Sequence, residues 1–275
     1  MSSTIPYEYR ETLLSVQGVS LTIDQTPILR DVNLEIKNIH RPGLTQGQVV
    51  GLLGPSGIGK TCLFKILAGI DLPDSGTVLL ENGKPVERGK VGVVAQNYPL
   101  FAHRTVLSNL LVAGQSAAMS GAAAKERALE VLQRFGLAEQ AHKYPALLSG
   151  GQRQRVAIAQ QFMCSDHFLL MDEPFSGLDP VAVARVCDFI TEMAASDELK
   201  TFIVVTHDIT AAIAVADTIW VLGRDRDAQG NIIPGARVKA TYDLIERGVA
   251  WHQCECTSPE CIALQHEIRA LFPKL

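Results

Sequence analysis

The chain has 275 residues, of which 47% are hydrophobic and 20% are charged, and its formal net charge at pH 7 is −4. A chain of this size can bury a substantial core as one large domain or two unequal ones. The slightly acidic balance argues against nucleic acid as a partner, because nucleic-acid-binding surfaces are basic. The sequence has no apolar stretch of the roughly 18 residues that a membrane-spanning helix needs, and its first residues do not resemble a secretory signal. We expect a soluble cytoplasmic protein that serves a membrane only by docking to another chain.

Short strands are predicted for the first part of the chain. Residues 12–36 end in an alternation of apolar and polar side chains, which is the period of a half-buried strand. The segment 38–48 contains Pro and Gly and predicts a loop. The apolar run 49–53 that follows is short enough to be a buried strand.

Residues 54–61, the phosphate loop, read Gly-Pro-Ser-Gly-Ile-Gly-Lys-Thr and match the pattern G-x-x-x-x-G-K-[ST]. Apolar residues at helical spacing follow between 63 and 70. A strand, a glycine loop and a helix in this order aim backbone N–H groups and a helix N-terminus at phosphate. We expect Lys60 to reach the β- and γ-phosphates of a nucleotide and the Thr61 hydroxyl to ligate Mg²⁺. The residues expected to hold the nucleotide are Gly54, Pro55, Ser56, Gly57, Ile58, Gly59, Lys60, Thr61 and Cys62.

The rest of the core alternates strand and helix patterns. Between residues 98 and 148 the pattern is helical, and one predicted buried stripe contains Ala128, Leu129, Leu132 and Phe135. Further short strands are predicted at 77–80, 91–94, 168–171, 202–205 and 219–222. This alternation indicates an α/β fold with a mostly parallel sheet covered on both faces, and the helical stretch is expected to be a subdomain.

Two carboxylates follow the predicted strand 168–171, namely Asp172 and Glu173. A strand that ends in Asp delivers that side chain to the carboxyl edge of the sheet, where α/β folds bind their ligands. Asp172 is then placed to hold Mg²⁺ through its water shell, and Glu173 to orient and deprotonate an attacking water. By itself the pattern fits a strand end with surface acids equally well, so its weight depends on the phosphate loop.

Residues 148–152, the serine–glycine segment, read Leu-Ser-Gly-Gly-Gln. Its two glycines let the backbone approach a phosphate, and the Ser149 hydroxyl adds a donor. The apolar stripe of the next helix places that helix's positive N-terminal end at this segment. The alternative is a turn that only caps a helix.

The order of these motifs over roughly residues 13–222 resembles the nucleotide-binding subunit of the ATP-binding cassette (ABC) family. The resemblance implies a P-loop NTPase core with a mostly parallel sheet, an N-terminal antiparallel β subdomain and an inserted α-helical subdomain at about 98–160. The ATPase domain is expected to span 12–223, followed by a C-terminal extension, 224–275.

The resemblance also assigns roles, one residue at a time. It implies catalytic roles for Glu173, His207 and Gln96, with His207 at the γ-phosphate and Gln96 near the water and Mg²⁺. Two subunits are expected to pack head to tail, each completing the ATP site of the other. The residues that the resemblance adds to the nucleotide site are Ser149, Gly150, Gly151, Gln152 and Asp179, and the Mg²⁺ ligands that it implies are Thr61, Gln96 and Asp172. Asp179 precedes a proline, so it is equally suited to cap the next helix.

The segment 96–106 is similar to importer subunits for small polar solutes, and its aromatic residues are suited to form a groove for a membrane partner. Ordinary core filling is the alternative. We expect an ATPase subunit, peripheral at the cytoplasmic face of the inner membrane, that powers uptake through a transmembrane permease. A second ATPase subunit, identical or different, and a solute-binding protein would complete the importer. Alternatives are an exporter or lipid-transport ATPase, and a soluble ABC ATPase outside transport.

Two features depart from the family pattern. Ile23 stands where the family usually stacks the base on an aromatic residue, which implies weaker base affinity or selectivity. The C-terminal extension contains a cluster that could bind Zn²⁺, made of His252, Cys254, Cys256 and Cys261. Its spacing is not a standard one, so a plain tail with reduced thiols is the alternative. A short closing helix is predicted from Leu264, Ile268 and Leu271.

Overall fold

The computed structural model describes residues 7–41, 47–164, 167–195, 200–250 and 258–275. Within these ranges nine strands form one sheet in the order β4-β1-β2-β9-β8-β3-β7-β6-β5. The strands are β1 (Glu8–Ile23), β2 (Thr26–His40), β3 (Gln48–Leu53), β4 (Ser75–Leu80), β5 (Gly92–Val94), β6 (Phe168–Asp172), β7 (Thr201–Thr206), β8 (Thr218–Arg226) and β9 (Ile232–Asp243). The helices are α1 (Lys60–Leu67), α2 (Val106–Ser116), α3 (Gly121–Arg134), α4 (Gly150–Phe162), α5 (Pro180–Ala194), α6 (Ile209–Val215) and α7 (Pro259–Leu271).

The parallel half of the sheet brings the chemical motifs to one edge. Strand β3 lies between β7 and β8, and Leu53 at its end is in register with Thr206 of β7. On the other side of β7, Asp172 at the end of β6 is in register with Val205. Because these strands are parallel, the phosphate loop, Glu173 and His207 all follow at the same carboxyl edge.

Both faces of this half are buried, as the near-continuous apolar runs predict. Along β7, Phe202 and Val204 face the core shared with the helical insertion, whereas Ile203 and Val205 face the core beneath α1. The predicted α/β fold with a mostly parallel core is confirmed.

The N-terminal strands form an antiparallel unit in which β1 pairs with both β2 and β4. The prediction of a loop from Asn38 is wrong at its start, because β2 continues to His40. The reason is the burial of Ile39, which is 3% exposed and packs in a cluster with Leu53 and Tyr242. That tertiary contact keeps the strand extended beyond the point where its sequence alternation weakens.

The helical insertion consists of α2, α3 and α4, which lie between β5 and β6 in the chain. Thr105, Ser120 and Ser149 cap their N-termini. The predicted buried position of Leu129 is wrong, since this side chain is 46% exposed. The buried stripe of α3 instead consists of Ala124, Ala128, Val131 and Leu132, and position 129 falls beside this stripe.

The C-terminal part continues the sheet before it forms its helix. Strand β8 extends to Arg226 and pairs antiparallel with β9, and β9 joins β2 at Leu29 and Ala236. The division of the chain at 223/224 stays a prediction, and the structure places residues 224–226 and 232–243 in the same sheet as the core. The predicted closing helix is confirmed as α7, which buries Leu264 and Ile268 against a cluster that includes residues of α6.

Cys62, Cys164 and Cys187 are not in disulfide bonds. Cys187 is buried, whereas Cys62 and Cys164 are half-buried. In the described ranges, none of the helices combines the length and apolar character needed to cross a membrane.

Candidate active site

The phosphate loop runs from the end of β3 to the start of α1, and glycine is required at different positions in it for different structural reasons. Gly57 and Gly59 have φ values of 76° and 110°, which side-chain-bearing residues rarely adopt. A Cβ at Gly54 would lie 2.8 Å from the carbonyl oxygen of Leu222 on β8. The loop therefore needs glycine at 54 for close packing, and at 57 and 59 for its curvature.

Lys60 is the first residue of α1, and its ammonium group points back over the loop. Its Nζ donates to the carbonyl oxygens of Gly54 and Pro55 at 2.8 and 3.2 Å and lies 3.6 Å from Oε1 of Glu173. The side chain is 7% exposed. Burial lowers the pKa of the Lys60 ammonium, and the charge of Glu173 opposes that shift. Ser56, Gly57 and Thr61 are exposed, so the outer side of the loop is accessible to a ligand.

Asp172 and Glu173 lie where the sequence predicted them, at the carboxyl end of β6. Burial raises the pKa of the Asp172 carboxyl group, and repulsion from Glu173 adds to the shift. Glu173 adopts a φ of 48°, the left-handed region that is unusual for a glutamate. Its backbone N–H donates to the Val205 carbonyl oxygen at 2.8 Å, which fixes this turn to β7.

The carboxylate of Glu173 is held by three side chains. Oε2 accepts a hydrogen bond from Thr206 Oγ1 at 3.1 Å and lies 2.9 Å from His207 Nδ1. Lys60 approaches the other carboxylate oxygen. Thr206 is fully buried, whereas the His207 side chain is 54% exposed. A cavity of about 110 Å³ opens beside Glu173 and His207, which is room for several water molecules.

The loop after β5 and the helix α4 both contact the segment that follows Glu173. Gln96 Nε2 donates to Ser176 Oγ at 3.1 Å. Tyr98 Oη and Gln154 Nε2 each donate to the carbonyl oxygen of Pro174, both at 3.1 Å. Gln96 is thus placed next to the predicted catalytic segment.

The serine–glycine segment forms the N-terminus of α4. Ser149 Oγ accepts from the Gln152 N–H at 3.2 Å, and Gln152 Oε1 accepts from the Ser149 N–H at 3.0 Å, a complete capping box. Gly150 and Gly151 are exposed, and a Cβ at either would meet nothing within 4 Å. The cap is therefore real, and the open space above the glycines leaves room for an anion as well.

Asp179 caps α5, accepting from the N–H groups of Val181 and Ala182 at 2.9 Å each. Its carboxylate is exposed. Ile23 lies at the tip of the β1–β2 hairpin and is 46% exposed, so close to half of its surface is accessible to solvent.

The predicted zinc cluster falls largely outside the described residues, which omit His252, Cys254 and Cys256. Cys261 is described, is 3% exposed near the start of α7, and has its sulfur in a disulfide. A disulfide sulfur is not the thiolate that Zn²⁺ requires. No group of three or more potential metal ligands of the His, Cys, Asp and Glu types occurs in the part of the chain that the structure describes. The zinc site stays a prediction and requires Cys261 in reduced form.

Several contact residues of this site were not predicted. Thr206, Ser176, Tyr98 and Gln154 contact the Glu173 segment, yet none of them was selected as a site residue from the sequence. Thr206 stands directly before His207, and that adjacency is the one sequence feature that could have indicated it. Tyr98 and Pro174 are separated by 76 positions, so their contact depends on the fold.

Comparisons with known proteins agree with this geometry. A family model described as ABC transporter matches residues 38–176. The Fe(3+) ions import ATP-binding protein FbpC of Agrobacterium fabrum is 42% identical over 190 residues, which are 67% of this chain and 53% of that protein. The glutamate transport ATP-binding protein GluA of Corynebacterium efficiens is 38% identical over 216 residues, 75% of this chain and 85% of that protein. The sulfate/thiosulfate import ATP-binding protein CysA of Escherichia coli is 37% identical over 229 residues, 80% of this chain and 58% of that protein.

The chain therefore spans little more than half the length of the iron and sulfate relatives and most of the glutamate relative. Among solved structures, CbiO1 from Clostridium perfringens, part of the ABC transporter complex CbiONQ, has a TM-score of 0.73 at 26% identity, covering 97% of this chain and 96% of that one. A dimeric post-hydrolysis state of the ATP-binding cassette MJ0796 bound to ADP and Pi has a TM-score of 0.65 at 28% identity, covering 84% of this chain and 99% of that one. The resemblance found in the sequence is confirmed, and the chain belongs to the ABC transporter family as an importer-like nucleotide-binding subunit.

Proposed function

We propose that this chain binds and hydrolyses ATP and thereby powers the uptake of a small polar solute through a separate transmembrane permease. The observation that supports hydrolysis best is the convergence on Glu173, where Lys60, Thr206 and His207 surround one carboxylate at the carboxyl edge of the sheet. A carboxylate beside a phosphate-binding lysine is the arrangement that activates water for attack on a terminal phosphate.

Lys60 Nζ donates to the carbonyl oxygens of Gly54 and Pro55 in its own loop. Phosphate oxygens make stronger, charge-assisted hydrogen bonds with an ammonium group, so ATP draws Lys60 away from these carbonyls. Glu173 then loses a cationic neighbour and is free to accept a proton from water. His207, more than half exposed at the cavity mouth, is placed to donate to the terminal phosphate.

We assign Mg²⁺ binding to Thr61, Asp172 and Gln96, whose donor atoms are all oxygens, the ligand type that Mg²⁺ prefers. The half-buried Asp172 favours this assignment, because burial alone disfavours its charge and a cation offsets that cost. When bound, Mg²⁺ neutralises charge on the β- and γ-phosphates. The chain's own contribution is to hold Asp172 at the strand end and Thr61 at the start of α1.

The site in one chain is incomplete by this proposal. Ser149, Gly150, Gly151 and Gln152 present an open helix N-terminus at the surface, which is a ready anion site. We assign these residues, together with Asp179, to the ATP of a second subunit. The dimeric neighbour bound to ADP and Pi supports pairing of two such subunits.

The transport role rests on the relatives and on one exposed surface. The relatives are named for iron, glutamate and sulfate or thiosulfate transport, all of which are small polar or ionic solutes. Next to Gln96, Phe101 is 43% exposed on the loop that leads into α2. We place the permease at this loop, with the chain at the cytoplasmic face of the membrane and a solute-binding protein on the other side.

Two substitutions test hydrolysis and separate its two steps. Glu173→Gln is expected to lower the kcat of ATP hydrolysis by about 100-fold, the usual contribution of a general base, while ATP still binds. Lys60→Ala is expected to weaken ATP binding by roughly 10- to 100-fold, because it removes charge-assisted hydrogen bonds. Glu192→Gln, the same change at an exposed position on α5, is the control. Undiminished turnover in Glu173→Gln would remove Glu173 as the base.

Co-purification tests the transport role. The tagged chain, extracted from membranes in mild detergent, is expected to carry a multispanning membrane protein in stoichiometric amount. Recovery with a soluble partner alone would contradict the importer assignment. Reconstitution of the complex in vesicles then distinguishes uptake from export by the direction in which solute moves.

A further inference from the structure

Two side chains from different elements, the partly buried Tyr98 and the buried Gln154, donate to one backbone oxygen next to Glu173. Tyr98 belongs to the loop that begins with Gln96, and Gln154 lies on α4, the helix that Ser149 caps. Their donors both lie 3.1 Å from the carbonyl oxygen of Pro174. Pro174 directly follows Glu173, so these bonds act on the peptide that carries the proposed base.

The two hydrogen bonds to the Pro174 carbonyl oxygen are shielded from water. Gln154 is 3% exposed and Pro174 is buried, so water does not readily take over a missing partner. Burial raises the pKa of Tyr98 to about 12, so its hydroxyl remains a donor at physiological pH. The Pro174 carbonyl therefore has two permanent donors.

The backbone on both sides of this contact is under constraint. Glu173 and Tyr98 have φ values of 48° and 45°, in a region that costs free energy for residues other than glycine. Such conformations persist only where surrounding contacts hold them. On the sheet side, the Glu173 N–H is fixed to Val205, and beyond Pro174 the Ser176 hydroxyl is held by Gln96. A shift of α4 or of the loop at 96–98 is thereby transmitted to the position of the Glu173 carboxylate.

We infer that Gln154 and Tyr98 are positioning residues that couple the two proposed binding surfaces, the serine–glycine segment and the loop after Gln96, to Glu173. This inference rests on the proposed function, because it takes Glu173 as the base and the serine–glycine segment as the contact to the second subunit's ATP. Through Gln154, ATP held at the N-terminus of α4 sets the geometry of this chain's own base. Through Tyr98, the membrane partner acts on the same carbonyl.

A merely structural role is the alternative. A buried hydrogen bond stabilises the folded chain whether or not it lies near the site, so a loss of stability alone does not distinguish the two roles. The test therefore compares Tyr98→Phe and Gln154→Met with matched changes in buried residues away from the site. Tyr242→Phe removes a hydroxyl whose environment includes the charge of Glu267, and Gln48→Met removes an amide that donates to the Lys37 carbonyl at 3.0 Å. All four variants, and the double variant Tyr98→Phe with Gln154→Met, are purified as the full chain.

The readouts are the melting temperature, the kcat and KM of ATP hydrolysis, and the Hill coefficient for ATP. Tyr98→Phe and Gln154→Met are each expected to lower kcat by about 10-fold, because a small misplacement of a catalytic group is costly, with KM unchanged. The double variant is expected to lose more than the product of the two single losses, since each single variant keeps one donor on Pro174. Gln154→Met is also expected to bring the Hill coefficient close to one. Melting temperatures should fall no more than in the two control variants.

The inference is overturned if both site variants keep kcat and the Hill coefficient within about twofold of the control variants while their melting temperatures fall equally. Glu173→Gln, assayed in parallel, separates this failure from that of the proposed function. If Glu173→Gln is inactive but Tyr98→Phe and Gln154→Met behave as the control variants, only the coupling role fails. If Glu173→Gln hydrolyses ATP normally, the proposed base and this inference fail together.

Discussion

Glu173 is the residue on which the chemistry of this chain depends, and its carboxylate is shared between Lys60, Thr206 and His207. Thr206 differs from the other two because it is completely buried and uncharged. Its hydroxyl donates to Glu173 and also accepts from the N–H of Asp208 at 3.1 Å, at the start of α6. It therefore fixes the base relative to the turn that carries His207.

We predict that Thr206→Val lowers kcat for ATP hydrolysis by at least about 10-fold, because a hydrogen bond to a charged carboxylate is worth roughly 1.5–3 kcal/mol. Valine has nearly the same shape, so the core around Thr206 stays filled. Thr206→Ser keeps the hydroxyl and is expected to restore most of the activity. Steady-state kinetics check this, with KM constant throughout; equal losses in the valine and serine variants would show that packing, and not the hydroxyl, is what matters.

Residues of this kind mark the limit of what the sequence predicts. The phosphate loop, Asp172 and Glu173 were identified from motifs in the chain, and His207 from its position in the order of motifs that resembles the ABC family. Thr206, Tyr98 and Gln154 carry no pattern of their own, since a threonine in an apolar strand or a glutamine in a helix is ordinary. Their roles follow from contacts between distant parts of the chain, and these contacts exist only in the folded protein.

At the scale of elements, local signals predicted the helix starts and the parallel strands better than the strand ends. The caps at Ser149 and Asp179 are set by residues within one turn, and the structure contains both. The end of β2 depends instead on the burial of Ile39 in a cluster with residues near the C-terminus. This contact with a distant part of the chain has no signal in the local sequence, so the predicted β2 was shorter than the observed strand.

The β8–β9 hairpin provides a prediction on pH. Asp225 on β8 forms ion pairs with Lys239 and Arg237 of β9 and with Arg30 of β2. These ion pairs lie close to the contact between β2 and β9, which pair at Leu29 and Ala236 among the described residues. The hydrogen bond from Lys239 lowers the pKa of Asp225 below its usual 3.8, and Arg30 and Arg237 add to this shift. Because the folded-state pKa is lowered, the stabilisation is present above about pH 4 and is lost as pH falls through the folded-state value.

Asp225→Asn is therefore expected to lower the melting temperature at pH 7, by an amount that corresponds to about 1 kcal/mol for a partly exposed charge cluster. The difference from the unsubstituted chain should shrink as the pH falls below 3.8, and high salt should shrink it at pH 7 as well. Melting curves over this pH range check the prediction. A difference that does not change with pH or salt would show that the carboxylate's charge is not what stabilises the hairpin.

At the scale of the whole molecule, the parallel sheet places every cis element of the site at one edge. The ends of β3, β6 and β7 lie in register, so the strand pairing alone brings the phosphate loop, Glu173 and His207 close together. The serine–glycine segment lies at the N-terminus of α4 in the helical insertion, and the side chains of Ser149 and Gln152 form the cap of that helix. We therefore propose that an ATP site that uses both parts includes a second subunit.

The substitution Gly151→Asp distinguishes the two roles of the serine–glycine segment, which are to cap α4 and to contact the ATP of a second subunit. A Cβ at Gly151 meets nothing within 4 Å, and a carboxylate in the first turn of a helix is favourable by about 0.3–1 kcal/mol. The variant chain should therefore fold at least as well as the original and bind ATP through its own phosphate loop. The added negative charge should repel the phosphates of a second subunit's ATP and prevent pairing.

The most direct test of hydrolysis at a shared interface is the mass of Glu173→Gln in solution with ATP and Mg²⁺, measured by light scattering with and without Gly151→Asp. We predict twice 29.8 kDa for Glu173→Gln with ATP, and 29.8 kDa when Gly151→Asp is added or when ADP replaces ATP. A mass of 29.8 kDa for Glu173→Gln with ATP would contradict the proposal that two subunits share the ATP site. Pairing that persists when Gly151→Asp is added would contradict it as well.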